Sequence, residues 1–227
     1  MNAQSLLDQL LKTGMAAVND AQGAVRGAAA RGDLDKYAKG AAAGGLLTLL
    51  LGTRSGRRMG GRALKLGSMA ALGMLAWKTY NDWKAQQGGV GAAAAQPGAA
   101  PATPPALPAP QADAHARALL KAMIAAARSD GHMDEREREL VQAELARSDA
   151  DPGVRSWFEA ELQRPVEPAE VAAAATTPER AAEIYLASLM VVDQTTTMER
   201  AYLDALAREL RLDDGLKTQL ENRALAG

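Results

Sequence analysis

The chain has 227 residues, with one Phe, four Tyr, three Trp, two His and no Cys. The absence of cysteine excludes disulfides, thiolate metal sites, cysteine nucleophiles and thiol redox switching, and two histidines leave little for a histidine-rich metal site or a catalytic triad. The formal net charge of −1 conceals a division: residues 1–84 carry 12 Lys/Arg against 5 Asp/Glu, residues 113–227 carry 14 against 22, and no charge lies between them.

The opening run, MNAQSLLDQLLKTG, lacks the basic start, long apolar core and small-residue cleavage site of a secretory signal. It reads as a short amphipathic helix. Leu6, Leu7, Leu10, Leu11 and Met15 recur on one face, suited to a partner helix or a lipid surface.

Sixteen of the 21 glycines fall in residues 1–91, where two apolar stretches, residues 40–52 (GAAAGGLLTLLLG) and 66–77 (LGSMAALGMLAW), flank a basic run. A helix of that length reaches only about 20 Å, short of the roughly 30 Å hydrocarbon core, so neither stretch reads as a span. Association with the membrane interface fits better. Arg54, Arg57, Arg58, Arg62 and Lys65 have no acid among them and suit anionic headgroups. Trp77 and Trp83, with Lys78, Tyr80 and Lys84, follow as an interfacial anchor would. The four-residue spacings Gly40/Gly44, Gly52/Gly56 and Gly56/Gly60 permit close helix approach and self-association. The opposing reading is a set of helices whose basic residues are merely solvated. No aromatic interleaving or nucleic-acid-reading motif accompanies the cluster, so nucleic acid is not an expected partner.

Residues 85–112 contain six of the ten prolines and no charge. Such a composition cannot bury a core and favours extended chain, so it reads as a tether between a basic helical segment, 1–84, and an acidic domain, 113–227. Its spacings Pro101/Pro104 and Pro105/Pro108 match ligands of aromatic-lined grooves, although an Ala/Pro composition produces them by itself.

Beyond the tether no alternating β-branched run occurs, and the fold class is all-α, with about seven helices in 113–227. Apolar stripes run through Leu120, Met123, Ile124 and Ala127, through Ala181, Ile184, Tyr185, Ser188 and Val192, and through Leu203, Leu206, Ala207 and Leu210. Asp151–Pro152 and Thr177–Pro178 give cap-then-proline starts, and Asp213 can cap the last helix. Trp157 and Phe158 read as core anchors.

Two segments look like diverged copies: helix 114–128, turn 129–133 and helix 134–147; then helix 178–192, turn 193–195 and helix 196–210. Asp130, Asp134, Glu137, Asp193 and Glu199 cluster at their turns and form a candidate oxygen-ligand set for Ca²⁺ or Mg²⁺. The spacing fails the EF-hand pattern, since counting from Asp130 puts His132 third and Val141 twelfth. Local capping explains the same residues: Asp134/Glu137 and Thr196/Glu199 have capping-box spacing, with Gly131 in the tight turn.

The runs AMIAAARSDGHMDEREREL and ASLMVVDQTTTMERAYLDALARELRL resemble the TerB-like domain, an all-helical fold related to tellurite-resistance proteins. The earlier run LLGTRSGRRMGGRALKLGSMAALGMLAWKTYNDW resembles the amino-terminal part of the bacterial YebE-like inner-membrane family of unknown function. The resemblance implies inner-membrane attachment and a role in envelope or metal stress response; Lys and Arg on both flanks of residues 66–77 barely set the topology, and the carboxy-terminal domain is expected on the cytoplasmic side. It also implies metal binding by the acidic turns, with Asp130, Gly131, Asp134 and Glu137 in the first motif and Asp193 and Glu199 in the second. The expected function is a non-enzymatic scaffold contacting lipid and protein partners, with a divalent-cation sensor as the alternative. An enzyme would have to use His115 or His132 with a carboxylate, which the sequence does not favour.

Overall fold

The structure, a computed structural model, describes residues 2–12, 68–87, 108–131, 139, 141–142, 145–146, 150–192 and 196–226. Among these residues every element is helical, and the protein is all-α. We label the helices α1 (3–12), α2 (Met69–Gln87), α3 (Ala109–Ala127), α4 (Pro152–Gln163), α5 (Pro168–Ala172), α6 (Pro178–Leu189), α7 (Thr197–Glu209) and α8 (Asp214–Ala226). Positions 139, 141–142 and 145–146 are also helical.

The centre is α6, buried continuously from Ala181 to Leu189. A helix buried on every side needs neighbours all round, and α2, α3, α5, α7 and α8 supply them. Its alanines let these helices approach, while Ile184, Tyr185, Leu186 and Leu189 fill the space between them. All three stripes read from the carboxy-terminal sequence enter this core, with Ala127 at its margin. Phe158 is fully buried; Trp157 is half-buried, edge-on to Phe158 and beneath the Arg117 guanidinium, 5.1 Å from the ring centroid.

Helix starts follow the sequence signals. Asp151 Oδ1 accepts from the Val154 N–H at 2.9 Å, and Thr177 Oγ1 from the Arg180 N–H at 3.3 Å, each ahead of a first-turn proline. Asp213 Oδ1 accepts from the Gly215 N–H at 2.8 Å. α7 closes with Arg211 at φ 54°, and the Leu212 N–H returns to the Ala207 carbonyl at 3.0 Å, a six-to-one helix stop.

The amino-terminal helices join the same core. In α1, Leu6, Leu7, Leu10 and Leu11 are each at most 4% exposed, so its apolar face has a partner surface within the chain; Met15 lies outside the described residues. Each such leucine contributes roughly 1.5–3 kcal/mol by burial. Asp113 on α3 accepts from the Ala3 N–H at 2.6 Å, and Asp8 on α1 accepts from the Met69 N–H at 2.9 Å. Two helix starts are thereby capped from other helices.

α2 buries Leu72, Ala76, Thr79 and Tyr80, one helical face, mainly against α6 and α8. One face of the second apolar stretch, Leu72 and Ala76, is therefore core, whereas Ala70 and Met74 are exposed. The 1–84, 85–112, 113–227 division does not follow the packing: the core takes residues from both charged modules, α2 runs to Gln87 and α3 begins at Ala109. Charge composition separated them because solvent-facing residues set net charge, whereas apolar faces set packing. No helix among the described residues is long and apolar enough to cross a membrane.

Candidate functional site

The end of α3 approaches the start of α7 at Gly131 and Met198. Gly131 adopts φ 76°, the left-handed region that favours glycine, and a Cβ placed there would meet Met198 Cε at 4.0 Å. Glu199 is only 4% exposed and closes a reciprocal capping box: Thr196 Oγ1 accepts from the Glu199 N–H at 3.1 Å, and Glu199 Oε2 accepts from the Thr196 N–H at 3.2 Å. One of its oxygens is thus committed to the helix end. Asp130 stands half-buried in the turn, next to Ser129, whose buried hydroxyl has no hydrogen-bond partner among the described residues. Asp134, Glu137, Asp193 and His132 lie outside the described residues. Among those described, no group of three or more His, Asp or Glu side chains is placed to hold a metal ion.

Of the expected headgroup contacts, Arg54, Arg57, Arg58, Arg62 and Lys65 also lie outside the described residues. Trp77 is half-buried on α2. Trp83 packs against the core, 5.8 Å from Tyr80 between ring centroids, and its indole lies over the first turn of α8. Gly215 makes that approach feasible, since a Cβ there would stand 3.3 Å from the indole Nε1.

A buried polar pair lies between α3 and α6. His115 Nε2 is 2.8 Å from Glu183 Oε2, with His115 6% and Glu183 8% exposed. His115 Nδ1 has no partner among the described residues. An Nε2–H donated to the carboxylate leaves Nδ1 as a bare lone pair, less costly to bury than an unpaired N–H, and we assign the tautomer on that ground. Helix α2 passes over the pair at Gly73, where a Cβ would lie 3.0 Å from Glu183 Oε1. The small residue is what lets three helices close over a carboxylate.

At the opposite end of α2 a groove of about 630 Å³ opens between Tyr80 and Trp83, the α5–α6 connection and the turn after α7. Alanines form much of one wall, Thr176, Thr177 and Pro178 its edge, and left-handed Arg211 with Asp213 the far side.

A family model described as a protein of unknown function, DUF533, matches residues 36–224. The chain belongs to the DUF533 family. It is similar to an uncharacterised protein in the ampR 5′ region of Yersinia enterocolitica, 27% identical over 109 residues that cover 48% of this chain and 78% of that protein. No solved structure matches it. The DUF533 match runs through α2 and the later helices alike, in keeping with their shared core, and begins after α1.

Two elements of this DUF533 chain escaped the sequence reading. Glu183 sits in AAEIYLASL, where an acid amid continuous apolar residues signals a buried charge needing a partner, and His115 was the available one. The groove beside Tyr80 and Trp83 was not read either, because interfacial and groove-lining aromatics look alike in sequence.

Proposed function

We propose that this DUF533 protein is a non-enzymatic scaffold associated with the bacterial inner membrane, with a TerB-like helical body on the cytoplasmic side that engages protein partners. One observation carries the membrane reading. The chain leaves α1 at residue 12 and re-enters the body at residue 68, where Asp8 of α1 holds the Met69 N–H. Both ends of the intervening segment are fixed on one body, and that segment carries five cations between residues 54 and 65 with no acid among them. Near an anionic surface each Lys or Arg contributes about 1 kcal/mol, so five support salt-sensitive, reversible attachment. Attachment through this segment leaves α1 and α2 in the core and frees the later helices for partners.

Sedimentation of the full chain with vesicles tests this reading. The wild type is expected to pellet with phosphatidylglycerol-containing vesicles and not with pure phosphatidylcholine, and a chain carrying Arg54→Gln, Arg57→Gln, Arg58→Gln, Arg62→Gln and Lys65→Gln is expected to stay in the supernatant. Equal pelleting of wild type and variant overturns it.

A second reading is a divalent-cation sensor acting through the acidic residues Asp130, Asp134, Glu137, Asp193 and Glu199. A cation bridging the two turns would tie two helix pairs together and couple occupancy to partner binding. Calorimetric titration of the chelator-treated full chain with Ca²⁺ and Mg²⁺, beside an Asp130→Asn/Asp193→Asn chain, decides it. Saturable heat lost in the variant supports a sensor, and no heat at millimolar ion leaves these residues as helix caps.

A further inference from the structure

The Tyr80–Trp83 groove lies at the end of α6 toward which the uncharged Pro/Ala-rich stretch leaves and rejoins the body. Helix directions establish this. Gly73, early in α2, lies against Glu183, while Tyr80 and Trp83 share the groove with Pro178 and Ala181, so α2 runs antiparallel to α6. His115 pairs with Glu183, and the Ser188 hydroxyl points toward the Ala122 carbonyl, so α3 runs parallel to α6. The last residue of α2, Gln87, and the residue before α3, Pro108, therefore both stand toward the Pro178 end of α6. Gln87 is one helical turn beyond Trp83, about 6 Å along the axis.

We propose that this groove is a docking site for the chain's own proline-rich stretch, residues 97–107, seated with its Pro101/Pro104 spacing against Tyr80 and Trp83. Three features fit the occupant. The 20 residues from 88 to 107 supply up to about 60 Å of extended chain, enough to cross the groove and return. Their prolines, alanines and lack of charge suit a surface of two tilted aromatic rings and an alanine wall, and the stretch brings no charge of its own to desolvate. Proline rings on aromatic faces, with i and i+3 on one side of a three-residue turn, form a recurring mode of peptide recognition, and the chain's connectivity raises the local concentration. The stretch is then both a connector and a ligand, competing with any external proline-rich peptide.

The test reads the three tryptophan indole N–H signals of the ¹⁵N-labelled full chain by NMR, with Trp83 assigned from Trp83→Phe. Replacing residues 88–107 by a Gly/Ser run of equal length is expected to shift the Trp83 signal while leaving Trp77 and Trp157 in place, which also shows that the body remains folded. Adding the synthetic peptide PGAAPATPPALP to that chain is expected to return the Trp83 signal toward its wild-type position. No Trp83 shift, a shift shared by all three indoles, or no return with the peptide overturns the proposal. A wild-type Trp83 signal that depends on protein concentration also overturns it, by assigning the groove to the stretch of a second copy.

Discussion

The helices before residue 88 and those after residue 108 carry net charges of opposite sign, yet they meet mainly through apolar surface and a few directed polar contacts rather than by charge pairing. Asp113 caps α1, and Arg223 reaches Asp82 at 3.1 Å, an ion pair with its acid on the basic module and its base on the acidic one. Among the later helices α6 is buried along nine consecutive residues, and α2 of the first set supplies one of the helices that bury it. Net charge describes what solvent and partners meet; it does not mark where a core ends.

The largest effect is expected where α2 of the first set covers a buried polar pair of the later set. His115→Ala removes the Glu183 partner under α2 and is expected to cost about 3–5 kcal/mol in urea denaturation, with His115→Leu/Glu183→Leu recovering part of the loss. A loss below 1 kcal/mol would mean that water reaches Glu183 and that α2 is loosely seated. Leu72→Ala in α2 and Leu206→Ala in α7, buried to 1% and 0% exposure, are expected to cost comparable amounts, about 2–4 kcal/mol each. A near-silent Leu72→Ala would restore the division at residue 84.

The capping contacts give smaller effects. Thr196→Ala opens the α7 capping box and is expected to cost about 1 kcal/mol. Asp113→Asn weakens the α1 cap by about 0.5–1 kcal/mol, discounted for partial exposure. Its pH dependence has a definite sign. Partial burial pushes the Asp113 carboxyl up, but Arg117 and the Ala3 and Gln4 N–H groups outweigh it and hold the group below its ordinary 3.8. Its contribution is therefore present above that value and lost as pH falls below it. Thermal unfolding of wild type and Asp113→Asn should differ at pH 6 and converge toward pH 2.5.

The carboxy-terminal fold was legible because each stripe and cap acts locally: Leu206 repeats at helical spacing from Leu203 and Leu210, and Asp151 and Thr177 stand directly before prolines. The capping-box reading of Thr196/Glu199 rested on the same short range, and the structure contains that box. What escaped was non-local. Leu72 and Ala76 have the apolar character of a lipid-facing or a core-facing helix alike, and only the presence of α6 and α8 decides between them. The His115–Glu183 pair spans 68 positions, and the cap of α2 by Asp8 spans 61, distances at which sequence pattern carries no pairing information. The tether's end was placed at 112 on composition, whereas Pro110 sits in the first turn of α3, where proline is tolerated.

The measurement closest to the central claim is amide hydrogen exchange of the full chain with and without anionic vesicles. If α1 and α2 belong to the core, residues 6–11 and 72–80 should match α6 in protection in solution and stay unchanged when vesicles are added. Rapid exchange of α2 in solution, slowed only by vesicles, would contradict the account and return that helix to the membrane surface.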